Sequence, residues 1–282
     1  MVIEQGYLAN QANGAVTVQY GDSMVISTIC AQPEPKSGQD FFPLTVEYRE
    51  RSYAAGKIPG GFFKREGRPS EKETLACRII DRPIRPLFPK DFRGETQCIT
   101  LVVSHDQQND TDILALIGTG AAIAISDVPF EKTIAGARVG RINGELVINP
   151  TISQMEESDI YITMAGSADA VTMVEGGGRE IPEDEMVDAL MFGHDHIKMI
   201  VAKIEELKGM CGKPQMTYTP VVLDANLEAK VKELAGNRYD EYNRIADKEA
   251  RRETKKAMKD EIVAALEEEF PESAGAIGNI LH

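Results

Sequence analysis

The sequence has little that would mark a secreted, membrane-bound or zinc-stapled protein. Four cysteines in 282 residues (Cys30, Cys77, Cys98, Cys211) are widely spaced and form no C-x-x-C pair. That excludes zinc-ribbon and thioredoxin readings and leaves thiols packed as small hydrophobes. No stretch approaches the roughly 20 apolar residues that span a bilayer. The start, Met1-Val2-Ile3-Glu4-Gln5, has neither the basic region nor the apolar region of a signal peptide. These absences predict a cytoplasmic protein with no membrane partner. No Walker loop occurs: Gly176-Gly177-Gly178 lacks the lysine-serine pattern and reads as a turn. No Ser, His and Asp grouping stands out. His194 and His196, two apart on a helix, diverge and make no metal pair.

What is present is acid, with one basic exception. The net charge is -14, which taken whole argues against a polyanionic partner. Residues 49–93, however, hold twelve Lys or Arg against six Asp or Glu, a local balance of +6. A polyanion would bind there.

The first two thirds of the chain alternate strands and helices. Residues 15–20 and 24–31 are β-rich runs across a Gly21-Asp22-Ser23 turn, and 41–48 predicts a third strand. Three glycines and a proline in 54–61 predict a mobile loop. Ser70 and Glu73 form a capping box for a helix with Leu75, Ile79 and Ile80 as its apolar stripe, ended near Arg82 by Pro83. A strand over 97–104 precedes a helix over 113–126, capped by Asp112 and apolar nearly all round, hence buried. Its Gly118 and Gly120 point to close backbone packing. Asn143-Gly144 marks a type I′ hairpin within 137–150. Strands over 160–165 and 170–175 follow. A long helix after Pro182 then carries Leu190, His194, Ile197, Val201 and Ile204 on one face and closes at Lys208-Gly209.

The pattern is an α+β domain over 1–212. Residues 213–282 predict a small all-helical domain after a linker from Pro214 to Pro220. Leu227, Val231 and Leu234 form its first stripe, Tyr239, Tyr242 and Ile245 its second, and Met258, Ile262, Ala265 and Leu266 its third. The charge-rich run 247–259 reads as a solvated face.

Chemistry concentrates between Gly60 and Pro89. Phe62-Phe63-Lys64-Arg65 follows two glycines. Adjacent aromatics beside cations suit single-stranded nucleic acid, with bases on rings and phosphates on cations; the alternative is that both rings pack into a core or an interface. Arg78, Arg82 and Arg85, at i, i+4 and i+7, share a face if the helix persists past Pro83. They would hold an anion, or form a salt-bridge network with Asp81, Glu71 and Glu73. Arg68 lies next to the helix amino terminus, which favours anions.

Four phrases in this order resemble bacterial polynucleotide phosphorylases: Phe41-Phe42-Pro43-Leu44-Thr45-Val46, Tyr53-Ala54-Ala55-Gly56-Lys57-Ile58-Pro59-Gly60, Phe62-Phe63-Lys64-Arg65-Glu66-Gly67-Arg68-Pro69-Ser70 and Ile80-Asp81-Arg82-Pro83-Ile84-Arg85-Pro86-Leu87-Phe88. The resemblance continues through 112–128 and Met191-Phe192-Gly193-His194. It implies a ribonuclease-PH-like domain and part of a helical domain, the amino-terminal portion of a longer protein. That family joins two such core domains by a helical domain, adds two small RNA-binding modules, and assembles as a homotrimeric ring. With inorganic phosphate and a divalent metal, Mg2+ or Mn2+, it shortens RNA from the 3′ end to nucleoside diphosphates.

In the family the chemistry belongs to the second core domain, which has a serine-rich phosphate loop and metal-binding carboxylates. Here the corresponding helix opens with Asp112-Ile113-Leu114. The strand expected to bear carboxylates reads Ile160-Tyr161-Ile162-Thr163, with Asp159 before it. The resemblance therefore implies no catalytic residue, metal ligand or cofactor within this chain. It implies RNA contact by Phe62, Phe63, Lys64 and Arg65, with Arg68, Arg78, Arg82 and Arg85 as further contacts. Lys64 replaces the family's usual arginine, keeping charge but losing the bidentate fork. Two alternatives remain: that the chain is itself phosphorolytic, with Asp159 or Glu157 on the metal, or that it is a structural ring-former built on the apolar helix 113–126.

Overall fold

The computed structural model describes residues 1–36, 39, 41–62, 64–220, 224–271 and 273–281. It divides into two compact units, Met1–Lys36 with Phe42–Thr219, and Ser37–Phe41 with Pro220–His282.

The first unit opens with β1 (Val2–Glu4), β2 (Gly14–Tyr20), β3 (Ser23–Ala31) and β4 (Leu44–Glu50). After a long loop come α1 (Glu71–Ile84), β5 (Thr96–Ser104) and α2 (Thr111–Ile125). Then follow β6 (Ala135–Ile142), β7 (Glu145–Ile148), α3 (Ile152–Glu157), β8 (Ile160–Gly166), β9 (Val171–Gly178) and α4 (Glu183–Cys211). One sheet runs β1-β2-β3-β5-β4, antiparallel except where β4 lies parallel to β5; the other runs β7-β6-β8-β9 and is antiparallel throughout. Helix α2 packs on β2 and β3 of the first sheet and on β6 of the second, and every one of its residues is buried. Its apolar circumference is thereby covered within the unit, as a helix without a polar face requires. Helix α1 lies on β4, and α4 on β6 and β8.

Glycine makes the close approach of α2 possible. A Cβ on Gly120 would stand 2.3 Å from the Ile134 carbonyl oxygen, and one on Gly14 of β2 only 2.0 Å from that of Ala122. Asn143 and Gly144 both take positive φ, 52° and 83°, the type I′ geometry expected of that pair.

Several elements depart from the sequence reading. The third strand starts at Leu44, because the Phe42 ring turns away to meet Phe88 and Phe92 at 4.7 and 5.7 Å. Helix α1 continues through Pro83 to Ile84, with the proline buried in the last turn. There its missing N–H removes only one late bond, and the Arg85 N–H still reaches the Asp81 carbonyl. Leu75 is 48% exposed; Ala76, Ile80, Pro83 and Ile84 form the buried face instead. Asp110, not Asp112, caps α2, accepting from the Thr111 N–H at 3.0 Å. The glycines 176–178 finish β9 rather than forming a turn. Helix α4 runs past Gly209 and stops at Gly212, whose backbone is extended.

Residues 213–219 belong with the first unit. The Lys213 and Met216 N–H groups donate to the carbonyls of Ile125 and Asp127 at 3.1 and 2.7 Å, and the Tyr218 hydroxyl reaches Asp91 at 2.9 Å. The boundary thus lies at 219/220, beyond the 212/213 position read from composition. These contacts join segments 88 to 127 residues apart, which composition does not reveal.

The second unit comprises α5 (Ala225–Ala235), α6 (Arg238–Asn243), α7 (Lys248–Leu266) and α8 (Ala274–Ile280). Asp224 and Asp247 cap α5 and α7 through their carboxylates. Leu227, Val231, Ala235, Tyr242, Met258, Ile262, Leu266, Ile277 and Leu281 form its core. Ala235 takes the place foreseen for Leu234, which faces outward. Among the described residues, no helix is long and apolar enough to cross a membrane.

Candidate nucleic-acid interface

The basic segment begins where β4 ends. Arg51 leads into a short 3-10 turn, Ser52–Ala55, closed by Gly56 in the left-handed region at φ 65°. The loop beyond returns to its own base. The Glu66 carboxylate accepts from the Ser52 N–H at 2.8 Å, and the Arg49 guanidinium donates to the Gly67 carbonyl at 3.1 Å.

Three residues on, the capping box closes: Ser70 Oγ accepts from the Glu73 N–H at 3.2 Å, and Glu73 accepts from the Ser70 N–H at 2.6 Å. The same carboxylate accepts from the Glu50 N–H at 2.9 Å and lies 3.3 Å from Arg49 Nε. Burial opposes ionisation of Glu73, but the Ser70 and Glu50 amides outweigh it, so the carboxyl stays below its usual range. One buried carboxylate therefore sets the start of α1 against the end of β4.

At the loop's far side Phe62 is 94% exposed, and Lys64, Arg65 and Arg68 are exposed as well. Lys64 holds a positive φ of 52°. Phe63 lies outside the described residues.

Because α1 persists to Ile84, Arg78, Arg82 and Arg85 do share one exposed face. Their surroundings differ. Arg85 forms a two-point pair with Asp81 at 3.0 and 2.6 Å and donates to the Leu44 carbonyl. Arg82 reaches Glu175 of β9 at 2.5 Å. Arg78 has no ion pair among the described residues. The salt-bridge reading holds for Arg85 with Asp81, while Arg82 finds Glu175 rather than the acids of its own helix.

Sequence reasoning missed the polar network at the start of α2. Arg138 of β6 donates to Asp110 at 2.7 Å and to Asp112 at 2.5 Å. Lys72 of α1 bridges Asp110 and Glu50 at 3.2 and 3.0 Å, and the buried Tyr48 hydroxyl meets Thr111 at 2.6 Å. Burial opposes the charge of Asp110, yet Arg138 and Lys72 hold its carboxyl low. Burial pushes Asp112 up, helped by the neighbouring Asp110. The only advance signal was the pair of arginines, Arg138 and Arg141, within a strand otherwise apolar and small.

Beside this network a cleft of about 380 Å³ opens, lined among others by Ile79, Arg138, Tyr161, Thr163 and Glu175. Its carboxylates do not suit a divalent cation: Asp110 is held by Arg138 and Lys72, and Glu175 by Arg82. Asp159 is likewise held by Arg141 at 2.9 and 2.6 Å, and Arg141 also pairs with Glu185. Among the described residues no three His, Cys, Asp or Glu side chains group as a metal site. His194 is buried, with Nε2 3.1 Å from the Ser167 carbonyl, while His196 stays half-buried.

Two family models match the first unit in succession: 3′ exoribonuclease family, domain 1, over residues 1–129, and domain 2 over 132–196. The chain is also similar to proteins named polyribonucleotide nucleotidyltransferase. That of Bacillus cytotoxicus is 49% identical over 284 residues, covering 100% of this chain and 40% of the relative. That of Shouchella clausii is 52% identical over 267 residues, covering 95% and 37%. That of Geotalea daltonii is 49% identical over 281 residues, covering 100% and 40%. The chain thus spans about two fifths of the length of the curated relatives it matches. With both models in sequence along one α+β unit, and with relatives near half identity over the whole chain, the protein belongs to the 3′ exoribonuclease family.

Proposed function

We propose that this chain is the RNA-holding, non-catalytic part of a 3′-to-5′ phosphorolytic exoribonuclease. Phe62, Phe63, Lys64 and Arg65 take single-stranded RNA at the loop tip, and Arg68, Arg78, Arg82 and Arg85 add contacts. The whole enzyme converts RNA and inorganic phosphate to nucleoside diphosphates with Mg2+ or Mn2+, using residues beyond this chain. It works in the cytoplasm as a homotrimer, beside a second ribonuclease-PH-like domain of the same protein.

The observation that carries this reading is the 94% exposure of Phe62 on a loop flanked by exposed cations. An exposed ring beside cations is the combination on which a base stacks while its phosphate is neutralised. The non-catalytic half of the proposal is supported by the pairing of Asp110, Asp112, Glu175 and Asp159 with cations. The structural-ring alternative loses its main support, because the apolar α2 is covered within its own unit.

The test is retention of a labelled single-stranded oligoribonucleotide together with its phosphorolysis. Binding at low salt should weaken when Phe62 and Phe63 become Ala, whatever the RNA sequence. Phosphate should not shorten a 5′-labelled strand. Unchanged affinity would sink the guiding role. Phosphate-dependent shortening, lost in Asp159→Ala, would place the chemistry here.

A further inference from the structure

The helical unit carries a cationic surface that RNA guiding leaves unused. Arg252, Lys255, Lys256 and Lys259 fall at i, i+3, i+4 and i+7 on α7, on one exposed face two turns long. They line a groove of about 510 Å³ together with Met258 of α7 and Gly278 and Leu281 from α8 and its end. Lys259 lies across the α8 backbone: a Cβ on Gly278 would meet its Nζ at 2.7 Å.

Three other cations of this unit are matched by carboxylates. Lys230 pairs with Glu269, Lys232 with Glu228 at 2.6 Å, and Arg238 with Glu261 at 2.6 Å. Among the described residues none of the four groove cations has an ion pair, and no carboxylate lines the groove. Like charges three and four apart repel on a helix, and an anion among them relieves that repulsion.

Extent decides which anion. Glu249 precedes the patch in sequence, Glu253 falls within its span, and Asp260 and Glu261 follow it. A long strand following the helix would meet all of these carboxylates; a compact multivalent anion on the cationic face would meet fewer. The volume lies in the range of small-ligand pockets, roughly 300–1,000 Å³. Two turns of helix span about 11 Å, the scale of a short phosphate chain plus a nucleoside. The aliphatic stems of the cations supply apolar surface for a base.

We propose that this groove binds a nucleoside polyphosphate, with its phosphates on Arg252, Lys255, Lys256 and Lys259. The inference stands apart from the RNA reading, which rests on the first unit.

The experiment titrates the full chain into fluorescently labelled ATP and GTP at low salt, followed by anisotropy. Binding should be saturable and at least tenfold weaker in the variant R252Q/K255Q/K256Q/K259Q, whose glutamines keep helix propensity. Inorganic tripolyphosphate should compete, and the free nucleoside should not. Photo-crosslinking with an azido-ATP should label peptides of α7 or α8. The loop variant Phe62→Ala with Lys64→Gln should bind the triphosphate normally; losing that binding would move the site to the first unit and overturn the proposal. Equal triphosphate binding by the quadruple variant would also overturn it. So would no triphosphate binding, with the four substitutions instead weakening capture of an oligoribonucleotide or an acidic peptide.

Discussion

Arg138 stands 2.5 Å from Asp112, joining the second sheet to the first turn of α2 across a partly buried interface. Its other nitrogen holds Asp110 at 2.7 Å. Removing one partner of such a group strands the others. Arg138→Met should destabilise the chain by about 3–5 kcal/mol, measured by urea unfolding. Replacing Asp110 and Asp112 as well, with Asn and Leu, should recover much of that loss. A loss under about 1 kcal/mol would show that water reaches the pair and screens it.

Acid should reveal Asp106. Burial opposes its charge, but the Asn109 and Gln108 amides and the Asn109 side chain outweigh burial and hold the carboxyl well below the ordinary range. A depressed folded value contributes stability above the unfolded value, near pH 4, that disappears as pH falls toward the folded one. The stability gap between wild type and Asp106→Asn should therefore be full at pH 6 and shrink below about pH 4. A gap constant from pH 6 to pH 3 would contradict the assignment.

Gly14→Ala tests how closely β2 meets α2. The new methyl would stand 2.0 Å from the Ala122 carbonyl oxygen, and backbone on both sides must move. A loss of about 3 kcal/mol is expected in thermal or urea unfolding, at the upper end of overpacking costs. A neutral outcome would mean that α2 slides without penalty.

The arginines of α1 should separate by function. Arg78 has no ion pair among the described residues, whereas Arg85 serves Asp81 and the Leu44 carbonyl. Arg78→Gln should weaken single-stranded RNA binding severalfold. It should also reduce the slope of log affinity against log salt by about 0.7, one phosphate's share. Arg85→Gln should weaken RNA binding less, because Asp81 already holds the guanidinium, and should also cost stability, by about 1 kcal/mol or less for so exposed a pair. Equal effects of both on RNA would argue that the whole face binds as a unit.

What the sequence made legible was local. Asn143-Gly144, the Ser70–Glu73 box and the apolar face of α4 each lie within a few residues, and each forms as read. The exposure of Lys64, Arg65 and Arg68 followed from glycine and charge in the loop. What stayed hidden depended on distant partners. Arg82 meets Glu175 across 93 residues, and Phe42 leaves the strand for rings more than 40 residues away. Pro83 misled for a different reason: a rule about helix interiors says little of a last turn packed into a core.

The Glu73 carboxylate has a consequence for how this protein can change. Together with Glu66 and Arg49 it fastens both feet of the loop to β4 and to the start of α1. The loop between those feet can vary while these anchors hold. One carboxylate cannot vary with it, because helix and strand would lose their common reference.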